Sequence, residues 1–342
     1  MTDVAKRAGV APATVDRVLN ERANVSDQVR IKVINAAREL GLRRVLPSAY
    51  RRMVRINVIL ARPDRPLIAR MASEMRRLGQ RLDPGIKIHR TILSNEAPAT
   101  IAKAMLAGSY DAVVVDAPDS PLIHDAIKTL KSRDCPVVCL ISDVPGSDRL
   151  AYAGTDHYKA GRSAGFFLTK MIPASTPGKI VVLCHNIGFH AHAERIRGLS
   201  DHLAQSAPHL AIADILRGDD DAAKSESLLR DAFVRHPTIL GVYNAGAGNR
   251  GVVAAIKAGL LPQPPLFIGH ELTPFTYESL KSGLMTLTID QSPELQSQYA
   301  IEVVMNHFGF QGATLATPPY VSDVPIVLYG PENLPDVPPA AP

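Results

Sequence analysis

Leu240–Gly251 reads "LGVYNAGAGNRG", an apolar run followed by Gly246, Gly248 and Gly251 at G-x-G-x-x-G spacing and then by a helix-like run. In a dinucleotide-binding unit such glycines let the backbone approach a pyrophosphate at a helix N-terminus, and an acid about twenty residues later holds a ribose hydroxyl. Here the next apolar run, "LFIGHE", ends in Glu271, twenty residues past Gly251. The same glycines can equally serve a tight strand-to-helix turn in another α/β architecture. The surrounding chain has to decide.

Outward from this stretch the texture is regular. Apolar runs of strand length recur from Ile56 on, at "INVILA", "IKIHRTIL", "DAVVVDA", "PVVCLI", "KIVVLC", "AIADILR", "ILGVYN", "PLFIGH", "LMTLTID" and "PIVLYG". Helical patterns fill most gaps, among them Pro66 to Leu82, Asp156 to Met171, Glu194 to Ala207, Asp221 to His236 and Ala247 to Gly259. Strand–helix alternation predicts parallel sheets covered by helices on both faces, and about ten strands are enough for two sheets. Pro and Gly in "IPASTPG", 172–178, predict the break between them. Ligands of such sheets sit beyond the carboxyl ends of strands. Several runs end there in polar residues: Asp116, Asp143, Asn244, Glu271 and Gln291.

The 342 residues suggest two or three compact units, and 46% apolar residues allow a sizeable core. Charge is unevenly placed. Through Arg55 there are twelve Lys/Arg against five acids, a charge of +7, so the whole-chain +5 leaves −2 for the remainder. A basic headpiece on a slightly acidic body points to a polyanion partner for the headpiece alone. "TDVAKRAGV" after Met1 lacks a signal peptide's apolar core, and no run is long enough to span a bilayer, so a soluble cytoplasmic protein is expected. Cys135, Cys139 and Cys184 cannot all pair and read as reduced buried thiols.

The first 42 residues hold three helical patterns and no strand pattern. Asp3 to Ala8 ends at Gly9, Thr14 to Leu19 follows, and the longest starts with Ser26 as N-cap and stops at Gly41. Two short helices around a glycine turn with a supporting third make a helix-turn-helix. Residues 43–55 carry five arginines, one proline and little periodicity, and read as a linker.

"DVAKRAGVAPATVDRVLNERANVSDQVRIKVINAARELG" resembles the DNA-binding headpiece of the LacI/GalR (lactose-repressor) family in its D-V-A-x-x-A-G-V, T-V-x-R-V-L-N, V-S and E-L-G elements. The body is similar to that family's effector domain, of periplasmic sugar-binding-protein fold, through "GTDHYKAGRSAG", "AERIRGL", "GVYNAGAGN", "FIGHELT" and "TIDQSPELQSQYAI". The resemblance implies that the second helix enters the major groove. Pro12, Ala13 and Arg17 then face bases, while Thr14 and Asn20 face phosphates. Arg can grip guanine bidentately, and Ala13 can meet a thymine methyl. The chain departs from the family pattern at Ala11 and Asp16, where Ser is usual, and in the linker. There "VLPSAYRRM" replaces a hinge-helix motif whose Leu wedges into the minor groove, and neither Leu46 nor Met53 stands at the matching position.

In the body the resemblance places Asp116, Asp156, Arg195, Asn244, Glu271 and Gln291 around the effector. Taken alone, each has a plainer role: Asp156 a helix N-cap, Arg195 a solvated residue beside Arg197, Asn244 a turn residue, Gln291 a backbone partner. His190 and His192 are further candidates to line the cleft, with no metal site expected.

The sequence reading is therefore an α/β protein. A helix-turn-helix headpiece (1–42) and a linker or hinge (43–55) precede a two-lobed periplasmic-binding-protein-like domain (56–330) of two parallel sheets flanked by helices. Lobe 1 is expected at about 56–172 and 292–320, lobe 2 at about 178–290 and 323–330, and a Pro-rich tail at 331–342. The expected function is a ligand-responsive transcriptional repressor. It binds operator DNA as a homodimer and a sugar, polyol or derivative as effector, with no catalysis and no cofactor. An NAD(P)-sensing regulator using the "GAGNRG" turn is the alternative. An exported solute-binding protein is disfavoured by the headpiece and the missing signal peptide.

Overall fold

The computed structural model describes residues 1–22, 25–42, 46–47, 53–310 and 324–337. Most of the expected linker, and parts of the 292–320, 323–330 and 331–342 segments, lie outside them.

The chain begins with α1 (Thr2–Ala8), α2 (Pro12–Leu19) and α3 (Asp27–Glu39). Gly9 closes α1 in the left-handed conformation, φ 66°, which a residue without Cβ adopts at little cost. Pro12 pre-sets the first turn of α2, and the Ala11 N-cap contributes no side-chain bond. Val4, Val15, Val18, Leu19, Val33 and Ile34 bury together as the headpiece core.

The first sheet follows: β1 (Val54–Ala61), α4 (Pro66–Arg81), β2 (Ile86–Leu93), α5 (Pro98–Leu106), β3 (Ala112–Val115), α6 (Pro121–Lys131), β4 (Val137–Leu140) and β5 (Ala151–Ala153). Its order is β2-β1-β3-β4-β5, with every pair parallel. The inner strands β1, β3 and β4 are buried on both faces, hence their continuous apolar runs, while edge strand β2 is partly exposed. One face packs Ile56, Val58 and Leu60 against Met71, Met75 and Leu78 of α4, and the other packs Ile59 and Val113 against α5 and α6.

The second half runs α7 (His157–Met171), β6 (Gly178–Cys184), α8 (His190–Ser206), β7 (Leu210–Arg217), α9 (Ala222–Arg235), β8 (Ile239–Asn244), α10 (Asn249–Lys257), β9 (Leu266–His270), α11 (Pro274–Lys281), β10 (Leu287–Asp290), α12 (Pro293–His307) and β11 (Val327–Tyr329). The sheet order is β11-β10-β9-β8-β6-β7, and only the β10–β11 pair is antiparallel. Helix α12 returns to the first sheet through Ala300, Ile301, Val304 and Met305.

Two details differ from the sequence reading. Helix α7, expected in lobe 1, packs Ala160, Ala164 and Leu168 against β6 and α8 of the second sheet. The first crossing between sheets thus falls before α7 and not at 172–178. Helical periodicity shows which face is apolar but not which sheet covers it. Strand β5 has only three residues, too short for a period-two pattern to register. Cys135, Cys139 and Cys184 are free and buried, and burial pushes their thiols up to about 11, about 12 and about 11.

Candidate functional site

The carboxyl ends of both sheets face a cleft of about 480 Å³. Arg65, Asp116 and Ser142 line it from the first sheet's side. His185, Phe189, His192, Arg195, Asp220, Asn249, His270, Glu271 and Phe275 line it from the second, with Gln291 in the crossing between β10 and α12. This is the topological position that open α/β sheets reserve for ligands.

Arg195, on α8, is buried and held at two points. Its Nη1 donates to the Ala245 carbonyl at 2.8 Å and its Nε to His157 Nδ1 at 3.2 Å. His157 Nε2 then carries the proton and donates to the Ile141 carbonyl at 2.7 Å. Burial, with Arg195 second, pushes His157 and His270 well below the usual imidazole range, so both are neutral. His192 is lowered in the same way.

The acids behave differently. Asp116 follows β3, and its Oδ1 is buried without a hydrogen-bond partner. Desolvation pushes this carboxyl up to about 7. Glu271 follows β9 with φ 70°, a left-handed conformation that costs a residue with Cβ roughly 1–3 kcal/mol and is concentrated at functional sites. Its Oε1 accepts from Gln291 Nε2 at 2.5 Å, while Oε2 has no hydrogen-bond partner and lies 3.7 Å from Arg70 Nη1. Burial, with Asp290 next, pushes Glu271 up to about 8. His270 shares a hydrogen bond with the Tyr243 hydroxyl at 2.8 Å through Nε2, leaving Nδ1 without a partner. Three buried polar groups of the cleft wall are therefore incompletely bonded, and such groups are expensive unless a ligand or water completes them.

Of the six body residues singled out in the sequence, Asp116, Arg195, Glu271 and Gln291 line the cleft, and Asp156 and Asn244 do not. Asp156 caps α7, accepting from Lys159 N at 2.8 Å and pairing with Lys159 Nζ at 2.9 Å. Asn244 is fully buried, and its amide is satisfied internally. Its Nδ2 donates to Asn249 Oδ1 at 2.7 Å and its Oδ1 accepts from Gly246 N at 3.1 Å. It supports Asn249, which faces the cleft in its place. His192 lines the cleft, while His190 is not part of its wall. Arg65, Ser142, His185, Asp220, Asn249 and His270 were missed. His185 and Asp220 lie just past the ends of β6 and β7, so reading each apolar run a few residues further reaches both.

The glycine turn has a specific chemistry. Gly246 N is taken by Asn244, and Ala247 N donates to Asp220 Oδ1 at 2.8 Å. Neither Gly246 nor Gly248 needs a positive φ. All three glycines of the motif are held by contact: a Cβ on Gly246 would lie 2.7 Å from Asp220 Oδ1, one on Gly248 2.9 Å from Leu183 Cδ2, and one on Gly251 2.5 Å from the Ala222 carbonyl oxygen. A pyrophosphate thus meets a carboxylate at the position where a dinucleotide unit offers free N–H groups.

In the headpiece, Pro12, Ala13, Arg17 and Asn20 are exposed along α2, Thr14 is half-buried, and Val15, Val18 and Leu19 hold the helix to its core. Asp16, where the resembled family usually has Ser, accepts from Asn20 Nδ2 at 2.7 Å and lies 3.6 Å from Arg22. Its carboxylate is turned to neighbours on its own helix and just beyond.

Two family descriptions match this chain: "Periplasmic binding protein domain" over residues 90–312, and "Bacterial regulatory proteins, lacI family" over residues 1–44. The chain belongs to the lacI family of bacterial regulators, with a periplasmic binding protein domain as its body. Among curated relatives of this lacI-family protein, the "HTH-type transcriptional regulator GalR" of Salmonella typhimurium (strain LT2) is 24% identical over 264 residues, 73% of each chain. GalR of Escherichia coli (strain K12) is 23% identical over 262 residues, again 73% of each. An ABC transporter solute-binding protein from Burkholderia graminis, solved in complex with D-arabinose, superimposes with TM-score 0.73 at 19% identity, covering 82% of this chain and 96% of that one. GanP, a glucose-galactose binding protein from Geobacillus stearothermophilus, gives 0.73 at 19%, covering 83% and 100%. At these identities the two structures establish the fold. This lacI-family protein is a ligand-responsive, DNA-binding transcription regulator, of a family that regulates and does not catalyse. Among the described residues, no helix is long and apolar enough to cross a membrane.

Proposed function

We propose that the effector is a sugar or polyol, and that the protein acts in the cytoplasm as a homodimeric repressor without catalysing a reaction. The observation that carries the effector class is the set of incompletely bonded polar groups on the cleft wall, Asp116 Oδ1, Glu271 Oε2 and His270 Nδ1. Together with the Arg195 guanidinium they offer both acceptors and donors to a cleft of about 480 Å³. Hydroxyls that both donate and accept complete such a set, and Phe189 and Phe275 supply apolar wall for the C–H face of a ring. The sugars bound by the structural relatives agree with this class.

Glu271→Ala is expected to weaken effector binding by about 1–3 kcal/mol, the cost of leaving ligand hydroxyls unpaired, while effector-free operator affinity stays nearly unchanged. Calorimetry of the intact protein against sugars, polyols and NAD(P) tests this. Tight NAD(P) binding with no response to any sugar overturns the reading.

For the DNA side, we assign base contacts to Pro12, Ala13 and Arg17 and phosphate contacts to Thr14 and Asn20, on the exposure of α2 and the +7 charge through Arg55. One headpiece reaches few bases, so two subunits on a pseudo-palindrome are needed. Arg17→Ala should cost about 1–3 kcal/mol at one base pair per half-site and relax preference there. Equal weakening on every operator variant would instead make Arg17 a phosphate contact.

A further inference from the structure

Granted a polyhydroxylated effector in the cleft, we infer that the protein carries its own anion at the α10 end of that site, Asp220, and thereby selects an effector without a phosphate group there. Asp219 and Asp220 are consecutive non-glycine residues in the left-handed conformation, φ 52° and 54°. Strain of this kind persists only where the surrounding structure imposes it. Its product is the placement of one carboxylate. Asp220 Oδ1 accepts from Ala247 N at 2.8 Å, and Oδ2 stands 3.3 Å from Arg65 Nε and 3.7 Å from His185 Nδ1. The side chain is only 5% exposed.

The components around Asp220 are those of an oxyanion seat: a backbone N–H just ahead of a helix start, a guanidinium and an imidazole. Gly246 leaves the space that lets the carboxylate approach the turn. The seat is filled from within the chain, from the loop after β7. A phosphate ester pointed at it meets a buried carboxylate at contact distance, and a hydroxyl can donate to the same carboxylate.

This predicts what removing the carboxylate does. Asp220→Ala vacates the seat and frees Ala247 N, Arg65 Nε and His185 Nδ1, while Arg65 Nη1, at 2.7 Å, and His185 Nε2 stay paired with Glu96 on the far side. Asp220→Asn keeps an acceptor for Ala247 N while discharging the group, and serves as the folding control. The intact chain and both variants are titrated with inorganic phosphate, binding being read by calorimetry and by the shift in melting temperature. The Ala variant should bind phosphate on the order of a hundredfold tighter than the wild type, as expected when a buried like charge is withdrawn. The Asn variant should fall between the two. Phosphate binding by the wild type equal to that of Asp220→Ala, or no gain in either variant while both fold, overturns the inference. In parallel, any sugar that binds the wild type is compared with its phosphate monoester, and a tighter-binding ester also overturns it. If no sugar binds at all, the effector class proposed above fails, and the phosphate titration still decides the role of Asp220.

Discussion

Gly161→Ala should destabilise the protein by about 3 kcal/mol and abolish the effector response together. The expectation rests on how α7 and α8 cross. A Cβ on Gly161 would lie 2.0 Å from the carbonyl oxygen of Arg195, and one on Gly198 would lie 2.1 Å from the carbonyl oxygen of Tyr158. The obstacles are backbone atoms, so no rotamer change relieves them. The helices must separate, and the apolar contacts of Ala160, Ala164, Leu199 and Leu203 are strained with them. Because the clashing carbonyl belongs to Arg195, the residue displaced first is one that lines the cleft. Gly79→Ala is the contrasting variant. Its Cβ would meet only Ile88 Cβ at 3.8 Å, an ordinary contact, and Ala replaces Gly within a helix with a gain of about 0.5–1 kcal/mol. Denaturant melts of the two variants, followed by effector titration of each, make the test. Equal stability of Gly161→Ala and Gly79→Ala would sink it.

A second large effect concerns pH. In the effector-free protein, Asp116 and Glu271 hold their protons to about 7 and about 8, against ordinary values of 3.8 and 4.5 in the unfolded chain. Between these limits the folded state carries more protons than the unfolded one. Stability therefore falls as pH rises from about 4 to about 8, by roughly 2 kcal/mol or more from the two groups together, and this contribution levels off above that range. Effector binding runs the other way. A hydroxyl donating to either carboxylate favours the ionised form, so affinity rises with pH up to about 8 and binding releases protons below it. Asp116→Asn and Glu271→Gln should each stabilise the effector-free protein at pH 8, flatten its pH profile and weaken effector binding. Urea melts at pH 5 and 8, and calorimetry in buffers of different ionisation enthalpy, measure the two halves separately. A profile unchanged by both substitutions would mean that these carboxyls titrate normally.

The opposition between these two effects is the usual condition of a binding site. The cleft tolerates unpaired buried acceptors and a left-handed Glu271 because a ligand completes them, and the packed sheets on either side hold them in place. Arg70 reinforces the arrangement from α4, donating to Asp290 Oδ2 at 2.6 Å and to Glu294 at 3.0 and 3.1 Å, so the first sheet's helix is tied to the acids beside Glu271.

Local pattern determined much of this protein. Strand-length apolar runs alternating with helices specified an α/β body with two sheets, and the +7 charge with its three short helices specified the headpiece, because burial on both faces and helical periodicity leave direct marks on residue type. The rule that ligands lie past strand ends reached Asp116, Glu271 and Gln291. Three matters were decided only by tertiary packing. Helix α7 covers the second sheet because Gly161 and Gly198 let it touch α8, and no period within α7 names that partner. Asn244 turns inward to Asn249 and Asp156 caps its own helix, since a polar side chain at a strand end or helix start takes whichever partner lies within about 3 Å, and that is a property of three-dimensional neighbours. The meaning of "GAGNRG" was decided by Asp220, distant in sequence and placed by a strained loop, whose carboxylate occupies the N–H group that the motif would otherwise offer to a pyrophosphate.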